Sequence, residues 1–246
     1  MKKTRLFCFP HAGASSMMYS SWQKELKDVA ELHLIEMAGR GSRSEEAHYK
    51  NVESAVQDIF QVIRRYVGEQ PYMIFGNSMG SLLAYELCCH IENAKLASPE
   101  QVFLSAKGAP QINQDEVSVH KLPDDLFKSK VISMGGIPQD LFANKEIGDL
   151  FWPILRADYK LVETYIWKKK RRLNTSASIL YGEEDEITKE QLFAWQDNFV
   201  NTCEFIGFEG GHLFIQQQKD KVIQLIKRKI IQVANLRAGG DSIANY

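Results

Sequence analysis

Long apolar runs and an excess of either charge are missing from this sequence. No stretch approaches the roughly 20 apolar residues that a membrane-spanning helix needs. The apolar part of the N-terminal segment MKKTRLFCFP ends at Pro10, which is too short for a signal-peptide core. The formal net charge is −1, so the overall charge draws the chain neither to nucleic acid nor to anionic lipid. We therefore expect a cytoplasmic protein without nucleic-acid or membrane partners.

Cysteine is scarce, and its spacing excludes the common metal and dithiol motifs. The chain has four cysteines, Cys8, Cys88, Cys89 and Cys203, and none belongs to a C-x-x-C pair. We expect buried, reduced thiols and no metal site. With 246 residues, 44% of them hydrophobic and 25% charged, the chain suits one globular domain, with or without an insertion.

Short apolar runs alternate with amphipathic segments along most of the chain. The runs predict strands, and segments with apolar residues every three or four positions, such as Val52–Val67, predict helices. This alternation indicates an α/β fold, a mostly parallel twisted sheet with helices on both faces. The predicted strands are Arg5–Phe9, Glu31–Met37, Tyr72–Phe75, Gln101–Ala106, Ala177–Tyr181 and Cys203–Phe208, and the other predicted helices are Trp22–Val29, Ser81–Asn93, Leu192–Val200 and Val222–Val233.

One segment breaks the alternation. Residues 108–173 contain four prolines, a Gly135-Gly136 pair and no good strand pattern, with short helical patterns around 124–134 and 150–165. We expect a helical insertion there, between two strands of the sheet. Residues 1–107 and 174–236 then form the single core domain, and residues 237–246 a flexible tail.

A glycine-flanked serine lies between the third predicted strand and the helix that follows it. The stretch is Gly76-Asn77-Ser78-Met79-Gly80, and Gly-x-Ser-x-Gly between a strand and a helix is typical of the nucleophile elbow of serine hydrolases. A strained turn there exposes the hydroxyl and needs small residues two positions away on either side. A packed turn of small residues is the alternative interpretation.

A serine nucleophile requires an acid and a histidine later in the chain. Of the six histidines, His212 lies in a glycine-rich loop directly after the last predicted strand. For the acid, Asp185 follows the preceding strand, with Glu184 as the alternative. A helix cap at Asp185 and a structural loop histidine are the non-catalytic interpretations. Three such residues in this order, each after a predicted strand, predict a Ser78–Asp185–His212 triad.

A tetrahedral intermediate also needs hydrogen-bond donors for its oxyanion. The N–H of Met79, the residue after the nucleophile, is one expected donor. The second is expected from the loop after the first strand, where small residues let the backbone approach the substrate. We predict the N–H of Ala12, with Gly13 as the alternative.

Short motifs are spread over nearly the whole chain. They are Cys8–Gly13, Gly39–Arg43, Gly76–Gly80, Lys121–Asp125, Gly135–Pro138, Leu155–Tyr159, Gly182–Asp185 and Gly210–His212. Together they resemble the type II thioesterases of nonribosomal peptide and polyketide synthesis, which have the α/β-hydrolase fold with a helical lid insertion. Two positions depart from the usual family pattern: Asn77 stands where the family usually has histidine, and Ala38 where it usually has proline.

The resemblance implies an enzyme that hydrolyses aberrant or stalled acyl groups from the phosphopantetheine arm of carrier-protein domains. Ser78 would attack the thioester carbonyl, His212 would take its proton, and Asp185 would orient the imidazole. No metal or cofactor is implied, because the pantetheine belongs to the partner. The lid would shape the acyl pocket, for which we expect Met134, Ile137, Phe142 and Phe151 as lining residues.

Some alternatives stay open from the sequence. The same fold also carries general carboxylesterases and thioesterases that release fatty acyl chains, and a protein that binds acyl carriers without chemistry is a third possibility. The basic run Lys168–Arg172 is either a docking patch for an acidic carrier protein or a solvated connector. A monomer is expected, because no exposed apolar stripe indicates an interface.

Overall fold

The computed structural model describes residues 3–112, 118–134 and 145–243. Six strands form one sheet in the order β2-β1-β3-β4-β5-β6, and every neighbouring pair is parallel. The central strands are apolar almost throughout because helices cover both of their faces. The strands are β1 (Thr4–Phe9), β2 (Ala30–Leu34), β3 (Tyr72–Asn77), β4 (Gln101–Ser105), β5 (Ser176–Gly182) and β6 (Glu204–Phe208). The predicted α/β fold is confirmed.

Helices lie on both faces of the sheet and bury two separate apolar clusters. On one face, α2 (Val52–Ile63) and α3 (Met79–Asn93) pack against alternate residues of the strands, for example Ile74. On the other face, α1 (Ser20–Leu26) and α8 (Lys219–Ile243) cover the remaining residues, for example Phe75. The alternation of side chains along each strand therefore divides the core into two halves. Two short helices, α6 (Lys189–Phe193) and α7 (Phe214–Gln217), complete the core.

Several element boundaries differ from the predicted ones, and two of the differences have a visible cause. Strand β2 ends at Leu34 rather than Met37, because the chain turns there to bring the Glu36 carboxylate to Ser15 and Ser16. Helix α8 runs to Ile243, so residues 237–243, predicted to belong to a flexible tail, are helical. The guanidinium of Arg237 forms an ion pair with Glu100 and donates to the hydroxyl of Thr4, which holds this part of the helix to the sheet.

The chain between β4 and β5 forms a helical lid over the carboxyl ends of the strands. Its described part contains a 3-10 turn at Val119–Lys121, helix α4 (Asp124–Ser133) and helix α5 (Lys145–Glu163). The Glu163 carboxylate accepts hydrogen bonds from the N–H groups of Val119 and His120, which ties the turn to α5. A small core of its own, with Phe127 and Leu155 at its centre, packs against Ala12 of the core domain.

Membrane-spanning helices are absent from the three described segments, since none of their helices combines the required length with enough apolar residues.

Candidate active site

The serine of the glycine motif occupies a strained turn between β3 and α3. Ser78 has φ 52° and ψ −112°, in a region that side chains other than glycine rarely adopt. A Cβ at Gly76 would lie 2.2 Å from the carbonyl oxygen of Gly80, so both halves of the turn pass too close for a larger residue. Helix α3 begins at Met79 rather than at the predicted Ser81. The turn has the geometry of a nucleophile elbow.

His212 lies between Ser78 and Asp185. Its Nε2 atom is 3.0 Å from Ser78 Oγ, and its Nδ1 atom is 3.0 Å from Asp185 Oδ2. The Asp185 side chain is 5% exposed and that of His212 is 41% exposed, so the acid is buried behind an imidazole that faces the solvent side of the site. Glu184, the alternative acid, lines the same pocket, but the histidine is bonded to Asp185. The carboxylate accepts Nδ1–H, which leaves Nε2 free to accept the serine proton.

The loops that carry the acid and the histidine are bonded to each other. The N–H of Glu183 donates to the Phe208 carbonyl at 2.8 Å, and the N–H of Glu184 donates to the Gly210 carbonyl at 3.0 Å. A Cβ at Gly182 would lie 2.3 Å from the Gly211 carbonyl oxygen, so the close approach of the two loops requires glycine there. Because β5 and β6 are parallel neighbours, their carboxyl ends bring both side chains to the same edge of the sheet.

Two backbone N–H groups are available on the oxyanion side of Ser78. Met79 is the first residue of α3, so its N–H has no acceptor within the helix. Ala12 lines the pocket, and within the described parts of the chain its N–H has no hydrogen-bond acceptor. The N–H of Gly13, the alternative donor, is bonded to Asp158 Oδ2 at 2.7 Å. The geometry therefore favours Met79 and Ala12 over Gly13.

A pocket of about 410 Å³ opens beside the serine. Ser78 and His212 form part of its floor, and Met134 and Phe151 of the lid belong to its apolar wall. The other two predicted lining residues, Ile137 and Phe142, lie outside the described residues. Further lining comes from the lid residue Tyr159, and from Val131 and Leu155, which the sequence analysis did not assign to the pocket.

Comparison with known proteins decides the family. A family model described as a thioesterase domain matches residues 4–230. The chain belongs to the thioesterase family. The resemblance predicted from the motifs is thus confirmed, and the chemistry is thioester hydrolysis.

Three similar proteins show which members of the thioesterase family this chain resembles. The crystal structure of ClbQ from the colibactin NRPS/PKS pathway is 30% identical, covers 96% of this chain and 100% of its own, and superposes with a TM-score of 0.90. The type II thioesterase BorB from the borrelidin biosynthetic cluster is 27% identical, with 93% of each chain covered and a TM-score of 0.85. The medium-chain S-acyl fatty acid synthase thioesterase of Homo sapiens is 26% identical over 250 residues, covering 98% of this chain and 90% of the human one.

A second histidine supports the oxyanion side of the thioesterase's pocket. His11 lines the pocket, and its Nδ1 atom is 2.9 Å from the carbonyl oxygen of Ala12. A carbonyl only accepts, so Nδ1 carries the proton. Burial, reinforced by the nearby His212, lowers the pKa of His11. A neutral imidazole that donates to the Ala12 carbonyl therefore helps to fix this loop, a role that the sequence analysis did not assign to His11 although this residue lies in the Cys8–Gly13 motif.

The basic run Lys168–Arg172 lies far from the pocket. It leads into the amino end of β5, whereas Ser78 lies at the carboxyl ends of the strands. The seven residues of β5 span about 20 Å. Lys170 forms an ion pair with Glu86 of α3, and Arg172 donates to the Gln196 carbonyl at 3.4 Å. This position favours the connector over the docking patch.

Across the described segments, no group of three or more His, Cys, Asp or Glu side chains is arranged to hold a metal ion. The four cysteines are buried and unpaired with one another, and burial raises the pKa of the Cys203 thiol to about 11. These cysteines are therefore packing residues rather than thiolate ligands or nucleophiles.

Proposed function

We propose that this protein is a type II thioesterase that removes aberrant or stalled acyl groups from the phosphopantetheine arm of carrier proteins, through an acyl-enzyme on Ser78. The observation that carries the proposal is the continuous chain of contacts from Ser78 through His212 to Asp185, with both distances at 3.0 Å, at the floor of a lid-covered pocket. The pathway assignment is supported by the similarity to ClbQ from the colibactin NRPS/PKS pathway and to BorB from the borrelidin biosynthetic cluster.

The first half of the reaction transfers the acyl group to the enzyme. Ser78 Oγ attacks the carbonyl carbon of the thioester while His212 Nε2 removes the hydroxyl proton. Asp185 holds the imidazole by its Nδ1–H and stabilises the imidazolium that forms. The tetrahedral oxyanion accepts hydrogen bonds from the N–H groups of Met79 and Ala12, and each such donor contributes about 10²–10³-fold in rate. The carbon–sulfur bond then breaks, and the imidazolium returns the proton to the pantetheine sulfur.

The second half of the reaction releases the acid. His212 takes a proton from a water molecule, whose oxygen attacks the acyl carbon on Ser78. The same two N–H groups stabilise the second oxyanion. The ester bond breaks, Ser78 Oγ recovers the proton from His212, and the carboxylic acid leaves. Every proton in this cycle moves through His212, so no cofactor takes part in the proposal.

The charges around the pocket bear on the partner. Glu184, Asp185 and Glu186 line the pocket together with Ser78 and His212. The thiol end of a pantetheine arm carries no charge, so it enters a pocket with carboxylates in its lining without repulsion. The lining therefore suits an acyl group on a pantetheine arm, whether a carrier protein or coenzyme A holds that arm.

The human relative supports a second candidate, the release of medium-length chains from a fatty acid synthase. Its name specifies a medium-chain S-acyl fatty acid synthase thioesterase. The two candidates share the triad and differ in the acyl chain they prefer. A preference for short acyl groups supports the editing thioesterase, and a preference for chains of medium length supports the second candidate.

The test is hydrolysis of acetyl, butyryl and decanoyl groups on a purified carrier protein, with acetyl-CoA and acetyl p-nitrophenyl ester as comparisons. We expect kcat/KM to be highest for a short acyl group on the carrier and to fall at least about tenfold for the same group on CoA. Faster turnover of the p-nitrophenyl ester than of every carrier-bound substrate would indicate a general esterase instead. Decanoyl-carrier as the best substrate would establish the second candidate.

A further inference from the structure

A carboxylate of the lid lies buried against the loop that carries the proposed oxyanion donor. Asp158, on α5, accepts one hydrogen bond from the Gly13 N–H at 2.7 Å. It accepts two more from the guanidinium of Arg40, both at 2.6 Å. The side chains of Arg40 and Asp158 are 3% and 4% exposed. A bidentate pair of this kind fixes both groups in one orientation.

Arg40 holds the same loop at a second point. Its Nη1 atom also donates to the Ala14 carbonyl at 3.2 Å. The segment Ala12–Ala14 is therefore bonded on one side through Gly13 to Asp158, and on the other through Ala14 to Arg40. Neither charged residue is hydrogen-bonded to Ser78, Asp185 or His212.

The lid also fixes the loop by packing. Gly13 has φ +78°, and a Cβ at this position would lie 2.7 Å from Leu155 Cδ1 and 3.1 Å from the Phe151 ring. The loop thus has a left-handed backbone and a close contact with α5 at the residue that donates to Asp158. Small changes in the position of α5 are transmitted directly to the peptide that joins Ala12 to Gly13.

A buried ion pair contributes little net stability, because desolvation of the two charges offsets most of their attraction. Apolar residues of similar volume often stabilise a core as well or better. Here the pair makes directional hydrogen bonds to one loop from both sides. The ion pair is therefore better explained by its effect on the orientation of that loop than by its contribution to the free energy of unfolding.

We propose that Asp158, held in place by Arg40, is a positioning residue that fixes the Ala12–Gly13 peptide and thereby the orientation of the preceding peptide, so that the Ala12 N–H faces the substrate oxyanion. This inference rests on the proposed function, in which Ala12 is an oxyanion donor. It makes the lid helix part of the support of the oxyanion hole.

The test compares two double variants that both remove the buried charges. Arg40→Met with Asp158→Asn keeps an oxygen that can accept the Gly13 N–H, whereas Arg40→Met with Asp158→Leu keeps the volume and removes the acceptor. Glu163→Gln is the matched control, because Glu163 is another α5 carboxylate that accepts backbone N–H groups, but from Val119 and His120. Each preparation is titrated with a fluorophosphonate probe, so that kcat refers to folded active sites.

We expect the asparagine pair to keep kcat within about fivefold of wild type and the leucine pair to lose about 10²-fold, with KM within about threefold in both. The inhibition constant of a trifluoromethyl ketone analogue of the acyl thioester, whose adduct places an oxyanion in the hole, should rise by the same factor as kcat falls. Glu163→Gln should keep kcat per active site within about threefold.

Equal kcat in the two double variants would overturn the inference. The inference would also be overturned if the leucine pair had fewer titratable active sites but an unchanged kcat per site, because that result indicates a structural role alone. If the leucine pair gives no folded protein, Arg40→Met with Asp158→Ala supplies the same comparison. Wild-type enzyme without Ser78-dependent thioester hydrolysis would refute the proposed function instead, and Ser78→Ala is measured alongside to separate the two failures.

Discussion

Replacing Gly80 by alanine should stop most turnover while the triad side chains stay chemically intact. Gly80 is the second glycine of the elbow, and a Cβ there would lie 2.3 Å from the Phe9 carbonyl oxygen and 2.8 Å from that of Pro10. A carbon and an oxygen in van der Waals contact stand about 3.2 Å apart, so roughly 0.9 Å of backbone movement is required. The Phe9 carbonyl cannot move freely, because it accepts the Tyr19 hydroxyl at 2.8 Å.

This backbone movement shifts two parts of the active site relative to each other, although catalysis needs them at fixed positions. The elbow carries Ser78 and Met79, and the chain after Phe9 and Pro10 carries Ala12. A misplacement of about 1 Å costs roughly 10²-fold in rate, so kcat should fall by about that factor. Overpacking costs about 1–3 kcal/mol in the free energy of unfolding, and each kcal/mol lowers Tm by about 2–4 °C at this chain length.

The assay is thioester hydrolysis followed by the release of free thiol, with thermal melts of the same preparations. Gly211→Ala is the matched control, since a Cβ at that glycine would have its nearest neighbour, the Glu184 carbonyl oxygen, at 3.9 Å, although it adjoins His212. We expect the control to keep kcat within about threefold. A Gly80→Ala enzyme with kcat within about threefold of wild type and an unchanged Tm would refute the steric reasoning.

Three further predictions concern the acid, the buried histidine and the pocket. Asp185→Asn should lower kcat by about 10⁴-fold while Glu184→Gln changes it only a few-fold; the opposite pattern in steady-state kinetics would reassign the acid. Because burial lowers the pKa of His11, the unfolded chain takes up a proton that the folded one refuses, so stability should fall as the pH drops below about 6.5. Urea melts between pH 7 and 5 should show a smaller loss in the free energy of unfolding for His11→Asn than for wild type. An equal pH dependence in the two proteins would argue against this contribution of His11. Phe151→Ala should raise kcat/KM for decanoyl relative to acetyl substrates by enlarging the pocket wall, and an unchanged ratio would remove Phe151 from the acyl site.

The grouping of Ser78, Asp185 and His212 in space could be predicted because its determinants are local. Ser78 sits between two glycines that a strained turn needs, and Asp185 and His212 each follow a strand with a clear apolar pattern. Parallel strands bring their carboxyl ends to one edge of a sheet, so three local patterns were enough to assemble a site from distant parts of the chain.

Contacts between distant polar residues were not predictable in the same way. Arg40 and Asp158 are 118 positions apart, and each stands in a motif that gives no sign of its partner. The charges of an isolated aspartate and arginine indicate solvent exposure, yet both side chains are buried here. Their pairing depends on how α5 docks on the core, and only the tertiary structure contains that information.

Helix ends were also beyond local reasoning. The apolar pattern placed the predicted start of α3 at Ser81, but the turn at Ser78 leads directly into the helix at Met79. At the other end of the chain, α8 passes the predicted end at Val233. Contacts of Arg237 with the core extend it, and these contacts have no local sequence signal.

The most direct test of the central claim is the hydrolysis of an acetyl-loaded carrier protein by wild type and by Ser78→Ala. Quenched wild-type samples are also digested, and their peptides are analysed by mass spectrometry. The account predicts rapid release of acetate by wild type, a loss of at least about 10⁴-fold in Ser78→Ala, and an acetyl group on the peptide that contains Ser78. Release of acetate by Ser78→Ala at a rate within a few-fold of wild type would contradict it.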